Sequence, residues 1–320
     1  MTPPRIISFC AHQPYLFQFK ALDWQLDLVE ISGHQRFLQN WSDSVRPLPE
    51  GWRLISWDEG KAGLEAGAYQ LAIAHNISDF IDFLPYPVKR ILVMHTSLHS
   101  RFTEDESDMT PDQYRMQFAE LVFRGQGEMV FISEHKMVDW NLRGHLIKTY
   151  VDLDDYQDWR GENAAVLRVA NHLVERGEIL DYPAHQTLTE GFPATLIGHN
   201  PSLPEARTAA SWDDLRQAYR DHRVYLHTAK VGLEDGFNFA MLEAMATGMP
   251  VVATAHPSSP IQDGVNGFIS ADLGLLRERI KLLLDNPELA REMGKMARRT
   301  VKTLFPKQRY IMAWQSLLPQ

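Results

Sequence analysis

The chain has 320 residues, a length that suits two domains of ordinary size, each able to bury its own core. Hydrophobic residues make up 44% of the chain and charged residues 23%, which is typical of a soluble globular protein. The formal net charge of −9 argues against general nucleic-acid binding, so no nucleic-acid partner is expected.

The cysteine content and the hydropathy of the sequence indicate the cellular compartment of the protein. A single cysteine, Cys10, excludes an internal disulfide and fits a reducing compartment. The first residues lack a long apolar core and a cleavage site, so no signal peptide is predicted. The sequence contains no uninterrupted run of about 18 apolar residues, so no membrane-spanning helix is predicted. We therefore expect a cytoplasmic protein.

Short apolar and β-branched runs in the first half of the chain predict strands. They cover 5–11, 27–32, 53–57, 71–74, 90–94, 128–133 and 145–150. A helix is predicted over 112–124, and the acidic run 103–112 before it is predicted to be a mobile loop. The polar segment that follows the last strand, through residue 163, is predicted to be an interdomain linker.

The second half repeats the alternation of strands and helices. Strands are predicted over 165–170, 194–197 and 224–229 and again from Val251, with helices over 212–220, 237–247, 272–285 and 287–303. Residues 263–268 contain two glycines and are predicted to form a turn-rich loop. Such alternation favours parallel, doubly wound α/β sheets.

Residues 224–254 are predicted to form a strand, a loop, a helix and a second strand, and this segment contains two notable acids. Asp235 is predicted to be the N-cap of the helix, and Glu243 lies eight residues further on. A rise of 1.5 Å per residue would place their carboxylates about 10–12 Å apart, roughly the length of a nucleotide sugar. Gly248 is predicted to take the left-handed position after the helix, and Pro250 to end it.

This spacing has two interpretations. In the first, a diphosphate binds the free N–H groups of the first helical turn, one acid holds a sugar, and the other holds the ribose hydroxyls. In the second, Asp235 is only an N-cap and Glu243 only a solvated helix residue. Spacing alone leaves both open.

The amino-acid sequence of the segment 224–254 resembles the donor-binding signature of retaining GT-B glycosyltransferases of group 1, the family-four-like class. The match consists of Asp235-Gly236-Phe237 followed by the contiguous run LEAMATGMPVVAT from Leu242. The resemblance implies two doubly wound Rossmann-like domains facing a central cleft. It places an acceptor-side domain over 1–155, a nucleotide-sugar-binding domain over 160–305, and a helix in 306–320 that crosses back to the first domain.

The resemblance also implies an activity and a set of site residues. It implies transfer of a hexose, with retention, from a nucleoside diphosphate sugar to a hydroxyl acceptor of unknown identity, without a metal or other cofactor. The catalytic residues would be Asp235 and His95, which follows a strand in the sequence His-Thr-Ser. The donor-binding residues would be Asn171, Arg176, Gly198, Glu234, Gly236, Phe237, Asn238 and Glu243.

Several positions depart from that family's pattern. Asp235 stands where Glu is usual, with Glu234 beside it, and Asn238 replaces a small residue or proline. Asn171 replaces the arginine of a basic pair, so that Arg176 is its one cation, and Arg168 is a weaker substitute. These departures support an alternative, a non-catalytic sugar-nucleotide-binding or partner protein on the same fold. An epimerase or phosphorylase is a third hypothesis.

The final long helix carries a basic face, formed by Arg291, Lys295, Arg298, Arg299 and Lys302. Such a face is typical of a solvated helix surface, and the alternative is contact with an anionic membrane or with an acceptor.

Overall fold

A computed structural model describes residues 2–31, 40–104 and 108–319. The chain divides into two units, which we call the N-terminal unit, Met1–Thr149 with Gln308–Gln320, and the C-terminal unit, Tyr150–Lys307. The end of the strand predicted over 27–32 and the middle of the predicted mobile loop, residues 105–107, lie outside the described residues.

The N-terminal unit contains a parallel sheet that has seven strands within the described residues, in the order β3-β2-β1-β4-β5-β6-β7. Its strands are β1 Arg5–Phe9, β2 Gln25–Val29, β3 Arg53–Ile55, β4 Leu71–Ala74, β5 Lys89–Met94, β6 Gly127–Phe131 and β7 His145–Leu146. Its helices are α1 Gln13–Leu16, a 3₁₀ helix Phe17–Ala21, α2 Trp57–Glu65, α3 Ile77–Phe83, α4 Leu98–Glu104, α5 Pro111–Arg124 and α6 Glu134–Trp140.

The C-terminal unit contains a second parallel sheet, with five strands in the order β12-β11-β10-β8-β9 among the residues described. Its strands are β8 Asn163–Val169, β9 Ala194–Ile197, β10 His222–His227, β11 Val251–Thr254 and β12 Gly267–Ser270. Its helices are α7 Gly177–Leu180, α8 Tyr182–Thr189, α9 Trp212–Asp221, α10 Phe239–Thr247, α11 Leu273–Asp285 and α12 Pro287–Leu304. The last helix of the described residues, α13 Lys307–Gln315, belongs from Gln308 onward to the N-terminal unit.

The predicted α/β class, with two parallel sheets, is confirmed. β4 and β11 are buried along their whole length, as expected of strands covered by helices on both faces. The predicted loop over 263–268 is wrong at its end, because Gly267 begins β12 and pairs with Val251. A side chain at Gly267 would lie 2.3 Å from the carbonyl oxygen of Val251, so the close approach of β11 requires this glycine.

Helix α10 packs closely against α12 in the C-terminal unit. Gly248 follows α10 with φ of 100°, so the predicted left-handed position is confirmed. An added Cβ at Gly294 of α12 would lie 1.9 Å from the carbonyl oxygen of Gly248. The absence of a side chain at Gly294 therefore sets how closely the two helices approach.

We expect Gly294→Ala to lower the free energy of unfolding by about 3 kcal/mol, because the helices must separate to admit the methyl group. Urea unfolding followed by circular dichroism measures the loss. Gly274→Ala is the matched control, since this glycine is exposed at the start of α11 and a Cβ there meets only the flexible Asp272 carboxylate, at 3.2 Å. Equal stability of the two variants would contradict the packing argument.

Candidate functional site

The predicted donor residues other than Glu243 lie at the C-terminal edge of the second sheet. Asn171 and Arg176 follow β8, Gly198 follows β9, and the segment 234–238 follows β10. β8 lies between β9 and β10, so the three following loops leave the sheet side by side. Ligands of parallel α/β sheets collect at this edge.

The loops after β8 and β9 are in direct contact. Gly198 has φ of 141°, and a Cβ on it would lie 2.1 Å from the carbonyl oxygen of Ala170. The Asn171 side-chain oxygen accepts a hydrogen bond from the backbone N–H of His199 at 2.8 Å. Position 198 therefore requires glycine, and Asn171 holds the two loops together.

Arg176 and Glu234 connect the loop after β8 with the loop after β10. The Arg176 guanidinium lies 3.8 Å from a Glu234 carboxylate oxygen, with side-chain exposures of 33% and 16%. A partly exposed ion pair of this kind contributes only about 0–1 kcal/mol, so an incoming anion can displace it. The cation predicted to bind diphosphate is thus present but partly neutralised by Glu234.

The start of α10 differs from the prediction. The N-cap is Asn238, whose side-chain oxygen accepts a hydrogen bond from the N–H of Met241 at 2.8 Å, and the helix begins at Phe239. The predicted N-cap role of Asp235 is therefore wrong, as is the predicted start of the helix at residue 237. The Asp235 side chain is buried, 3% exposed, in the loop before the helix.

A tight turn places Asp235 and its neighbours. The N–H of Asp235 donates to the Glu234 carboxylate at 3.0 Å, and the N–H of Gly236 donates to the Ser258 hydroxyl at 2.9 Å. A Cβ on Gly236 would lie 2.6 Å from the Cβ of His256. The loop after β11 therefore packs onto Gly236, and this contact fixes the turn before α10.

Glu243 lies inside the C-terminal unit. Its carboxylate accepts hydrogen bonds from the hydroxyls of Tyr156 at 2.5 Å and Tyr219 at 2.9 Å, and the residue is 2% exposed. Burial and the Glu243 carboxylate raise the pKa of Tyr219 well above its usual range, so its hydroxyl stays protonated and donates. Sequence reasoning missed both tyrosines, and no local signal in the sequence pairs them with Glu243.

Asp235 and Glu243 do not lie on the same helix, because α10 begins only at Phe239. Only the four steps from Phe239 to Glu243 are helical, which is a rise of about 6 Å. Since Asp235 belongs to the preceding loop, the predicted helical separation of about 10–12 Å between its carboxylate and that of Glu243 does not apply.

Arg168 of β8 is excluded as a substitute phosphate ligand. It is 1% exposed, and its guanidinium donates to the carbonyl oxygens of Leu226 and Thr228 at 3.0 and 3.1 Å. Burial lowers the pKa of its guanidinium. Arg168 therefore joins β8 to the end of β10 beneath the candidate site.

His95 follows β5 in the N-terminal unit and lies beside two other histidines that follow strands. Its Nε2 lies 2.8 Å from Nδ1 of His75, which follows β4. The His12 ring, after β1, stacks on the His95 ring with centroids 3.9 Å apart, and the Tyr15 ring meets it edge-on at 4.8 Å. Neighbouring parallel strands thus gather three imidazoles at one edge of the first sheet.

The basic face of α12 borders a groove of about 680 Å³ in the C-terminal unit. Arg298 is not available at this surface, because its guanidinium donates to the carbonyl oxygens of Leu153, Tyr156 and Ala246. Lys295, Arg299 and Lys302 are exposed and line the groove.

Across residues 2–31, 40–104 and 108–319, no group of three or more histidine, cysteine or acidic side chains is placed to hold a metal ion. In the same part of the chain, no helix combines the length and the hydropathy needed to cross a membrane.

The two parallel α/β sheets, with seven and five strands among the described residues, are those of the GT-B fold. Residues 208–300, which hold α9, β10, α10 and β11, match the family model described as glycosyl transferases group 1. This segment of the C-terminal unit is therefore similar to the group 1 glycosyltransferases.

Solved structures with low sequence identity share this fold. Sucrose-phosphate synthase from Thermosynechococcus elongatus superposes with a TM-score of 0.70, at 14% identity, over 98% of this chain and 98% of that one. Anabaena HepE in complex with UDP and glucose superposes with a TM-score of 0.69, at 12% identity, over 97% of this chain and 98% of that one. At this identity, the likeness establishes the fold alone.

Longer proteins match part of the chain. The trehalose synthase of Pyrococcus horikoshii is 33% identical over 78 residues, which is 24% of this chain and 19% of that protein. The trehalose synthase of Thermococcus litoralis is 31% identical over 91 residues, which is 28% of this chain and 22% of that protein. The chain also covers 55% of S. aureus TarM, at a TM-score of 0.61 and 15% identity. It therefore spans about a fifth of these trehalose synthases and about half of TarM.

Proposed function

We propose that the protein transfers a hexose from a nucleoside diphosphate sugar to a hydroxyl acceptor with retention of configuration. One observation carries the proposal. The segment that matches the group 1 model contains Glu234, Asp235 and the start of α10, and Arg176 reaches the same place from β8. An anion-binding helix start, a displaceable cation and two carboxylates suit a sugar diphosphate.

The proposed reaction follows from where charge develops. The bond between the sugar's anomeric carbon and the diphosphate oxygen breaks, and a bond from that carbon to the acceptor oxygen forms on the same face. The departing phosphate takes the acceptor's proton. The N-terminus of α10 and the Arg176 guanidinium stabilise the negative charge on that phosphate, which is the main catalytic contribution.

The other site residues keep their predicted roles within this proposal. Asp235, with Glu234 beside it, holds the sugar, while Gly198 lies near the nucleotide base. Glu243 holds the ribose, which requires the hydroxyls of Tyr156 and Tyr219 to share its carboxylate or withdraw. The position of His95 beside the donor sugar stays a prediction from the resemblance. UDP-glucose is the first donor to test, because the similar structure of HepE binds it.

A non-catalytic sugar-nucleotide-binding protein is the second candidate. The observations in its favour are the Arg176–Glu234 ion pair and the enclosure of Glu243 by two tyrosine hydroxyls. Asn171 stands where the family has a second phosphate-binding cation, and its side-chain oxygen accepts a hydrogen bond from the backbone N–H of His199. Release of UDP from UDP-glucose, with and without a panel of hydroxyl acceptors, separates the candidates. Binding without any turnover would support the second.

Substitutions of the two neighbouring acids test the sugar-binding assignment. We expect Asp235→Ala to lose about 1–3 kcal/mol of discrimination among donor sugars, because one charged hydrogen bond to the sugar disappears. Affinity for UDP, which lacks the donor hexose, should stay within twofold. We expect Glu234→Ala to strengthen UDP binding, since it releases Arg176 from its ion pair. Calorimetry with UDP and several UDP-sugars measures both effects.

The outcomes of that comparison are distinct. A normal sugar preference in Asp235→Ala together with a lost preference in Glu234→Ala would assign the sugar to Glu234 instead. Equal losses for UDP and UDP-sugars in Asp235→Ala would mean that the buried carboxylate only supports the loop.

We also propose peripheral contact between the basic face of α12 and anionic membranes. Each cation near such a surface contributes about 1 kcal/mol, so Arg299→Glu with Lys302→Glu should weaken vesicle binding by about 30-fold or more. Cosedimentation with phosphatidylserine-containing vesicles measures this. Arg124→Glu with Lys281→Glu is the charge-matched control, because both side chains are exposed and lie outside the groove. Wild-type protein that stays in the supernatant would refute the contact.

A further inference from the structure

The histidine cluster at the edge of the first sheet contains a hydrogen bond between two imidazoles. His75 Nδ1 and His95 Nε2 are 2.8 Å apart, so one of these nitrogens carries a proton and donates it to the other. Both rings are neutral near neutral pH, because burial above all, together with the charge of His12, lowers the pKa of each well below its usual value. The remaining question is which nitrogen holds the proton.

The surroundings of His75 answer it. The residue is 3% exposed, and its Nε2 is fully buried without a hydrogen-bond partner among the described residues. If His95 were the donor, neutral His75 would carry its own proton on Nε2, as a buried and unpaired N–H group. The large majority of buried side-chain polar atoms in folded proteins have a hydrogen-bond partner. With His75 as the donor, its Nε2 is a bare lone pair, and the His75 ring carries no unpaired N–H.

We infer that His75 is a positioning residue that donates Nδ1–H to His95 Nε2 and so fixes His95 as the Nδ1–H tautomer. His95 as a whole residue is incompletely buried, and with its Nε2 turned to His75, Nδ1 is the ring nitrogen left for a ligand. The His12 ring stacked on one face of His95 and the Tyr15 ring edge against it restrict rotation of the imidazole.

This tautomer decides what chemistry His95 can perform. A neutral imidazole that presents N–H outward donates a hydrogen bond to an oxygen, such as a sugar hydroxyl, and cannot take a proton from an acceptor hydroxyl. The acceptor's proton must then leave by another route, which agrees with its transfer to the departing phosphate. The role of His95 toward a sugar rests on the proposed function, whereas the tautomers of the two rings do not.

Nitrogen-15 spectra of the full chain, labelled at histidine, test the inference directly. Long-range proton–nitrogen correlations near neutral pH distinguish the two neutral tautomers of each ring, and His75→Phe and His95→Phe assign the signals. We expect both His75 and His95 to be protonated at Nδ1. A proton on Nε2 of either ring would overturn the inference. Ring connectivity groups the signals of each of the 13 histidines, and His75→Asn and His95→Asn assign them if a phenylalanine variant fails to fold.

Kinetics separate positioning from structural support. We expect His75→Ala to lower kcat for donor turnover about tenfold or more, with KM for the donor little changed, because His95 loses its fixed tautomer. His75→Asn, whose amide can donate to His95 Nε2, should restore part of the loss. Equal activity of His75→Ala and wild type would overturn the positioning role. Absence of turnover in the wild type would refute the proposed function while the tautomer is still read from the spectrum.

Discussion

Replacing Glu243 by alanine is expected to have two separate effects. The free energy of unfolding should fall by about 2–4 kcal/mol, because two buried tyrosine hydroxyls lose their acceptor and a cavity remains. Affinity for UDP should fall about 10- to 100-fold if the carboxylate also binds the ribose hydroxyls. Urea unfolding measures the first effect, and calorimetry well below the melting temperature measures the second.

Tyr219→Phe is the matched control for this experiment. It removes one hydroxyl from the Glu243 carboxylate but leaves the charge in place. If Glu243 binds ribose, Tyr219→Phe should keep or improve UDP affinity, because one competitor for the carboxylate is gone. Unchanged UDP affinity in Glu243→Ala, together with the loss of stability, would make Glu243 a structural acid that serves only Tyr156 and Tyr219.

Features set by neighbours in the chain were predictable from the sequence. Gly248 and Pro250 end α10 where predicted, because a left-handed glycine and a proline are local signals. β4 and β9 were predicted with their observed bounds, since each is a short apolar run between turns. The alternation of such runs with helical segments was enough to predict parallel α/β sheets.

Features set by distant contacts were not predictable in the same way. Asp235 and Asn238 are both favourable N-cap residues, and the choice of Asn238 depends on Ser258 and His256 packing against the preceding turn. The partners of Glu243 are 87 and 24 residues away, and no pattern in the sequence pairs them. Position 267 resembles a turn glycine locally and becomes a strand only through pairing with β11.

The histidines illustrate the boundary between these cases. His12, His75 and His95 each follow a strand of the first sheet. Because parallel strands end on the same side of a sheet, their imidazoles are expected to share one edge. The sequence does not reveal that His75 bonds to His95 or that His12 stacks on it. Those relations depend on ring orientation, and they determine which atom of His95 a ligand would meet.

His95→Ala is expected to reduce sugar transfer by about 100-fold, the loss that follows removal of one positioned polar group from a reacting centre. UDP affinity should stay within twofold, because UDP lacks the sugar that this residue is proposed to contact. Turnover of UDP-glucose and calorimetry with UDP measure the two quantities. His145→Ala is the control. This exposed histidine is the first residue of β7, and its Nε2 is hydrogen-bonded to Glu128 of the neighbouring strand β6, away from the histidine cluster.

The role of His95 follows from comparing the loss of sugar transfer with the loss of UDP affinity in His95→Ala. A loss of transfer with intact UDP binding places His95 at the sugar, in line with the donor N–H that His75 leaves for a ligand. A loss of both in proportion would instead mean that the stacked cluster of His12, His75 and His95 supports the fold of the N-terminal unit. In that case His95→Ala should also melt at a lower temperature than His145→Ala, and thermal unfolding of the two variants completes the test.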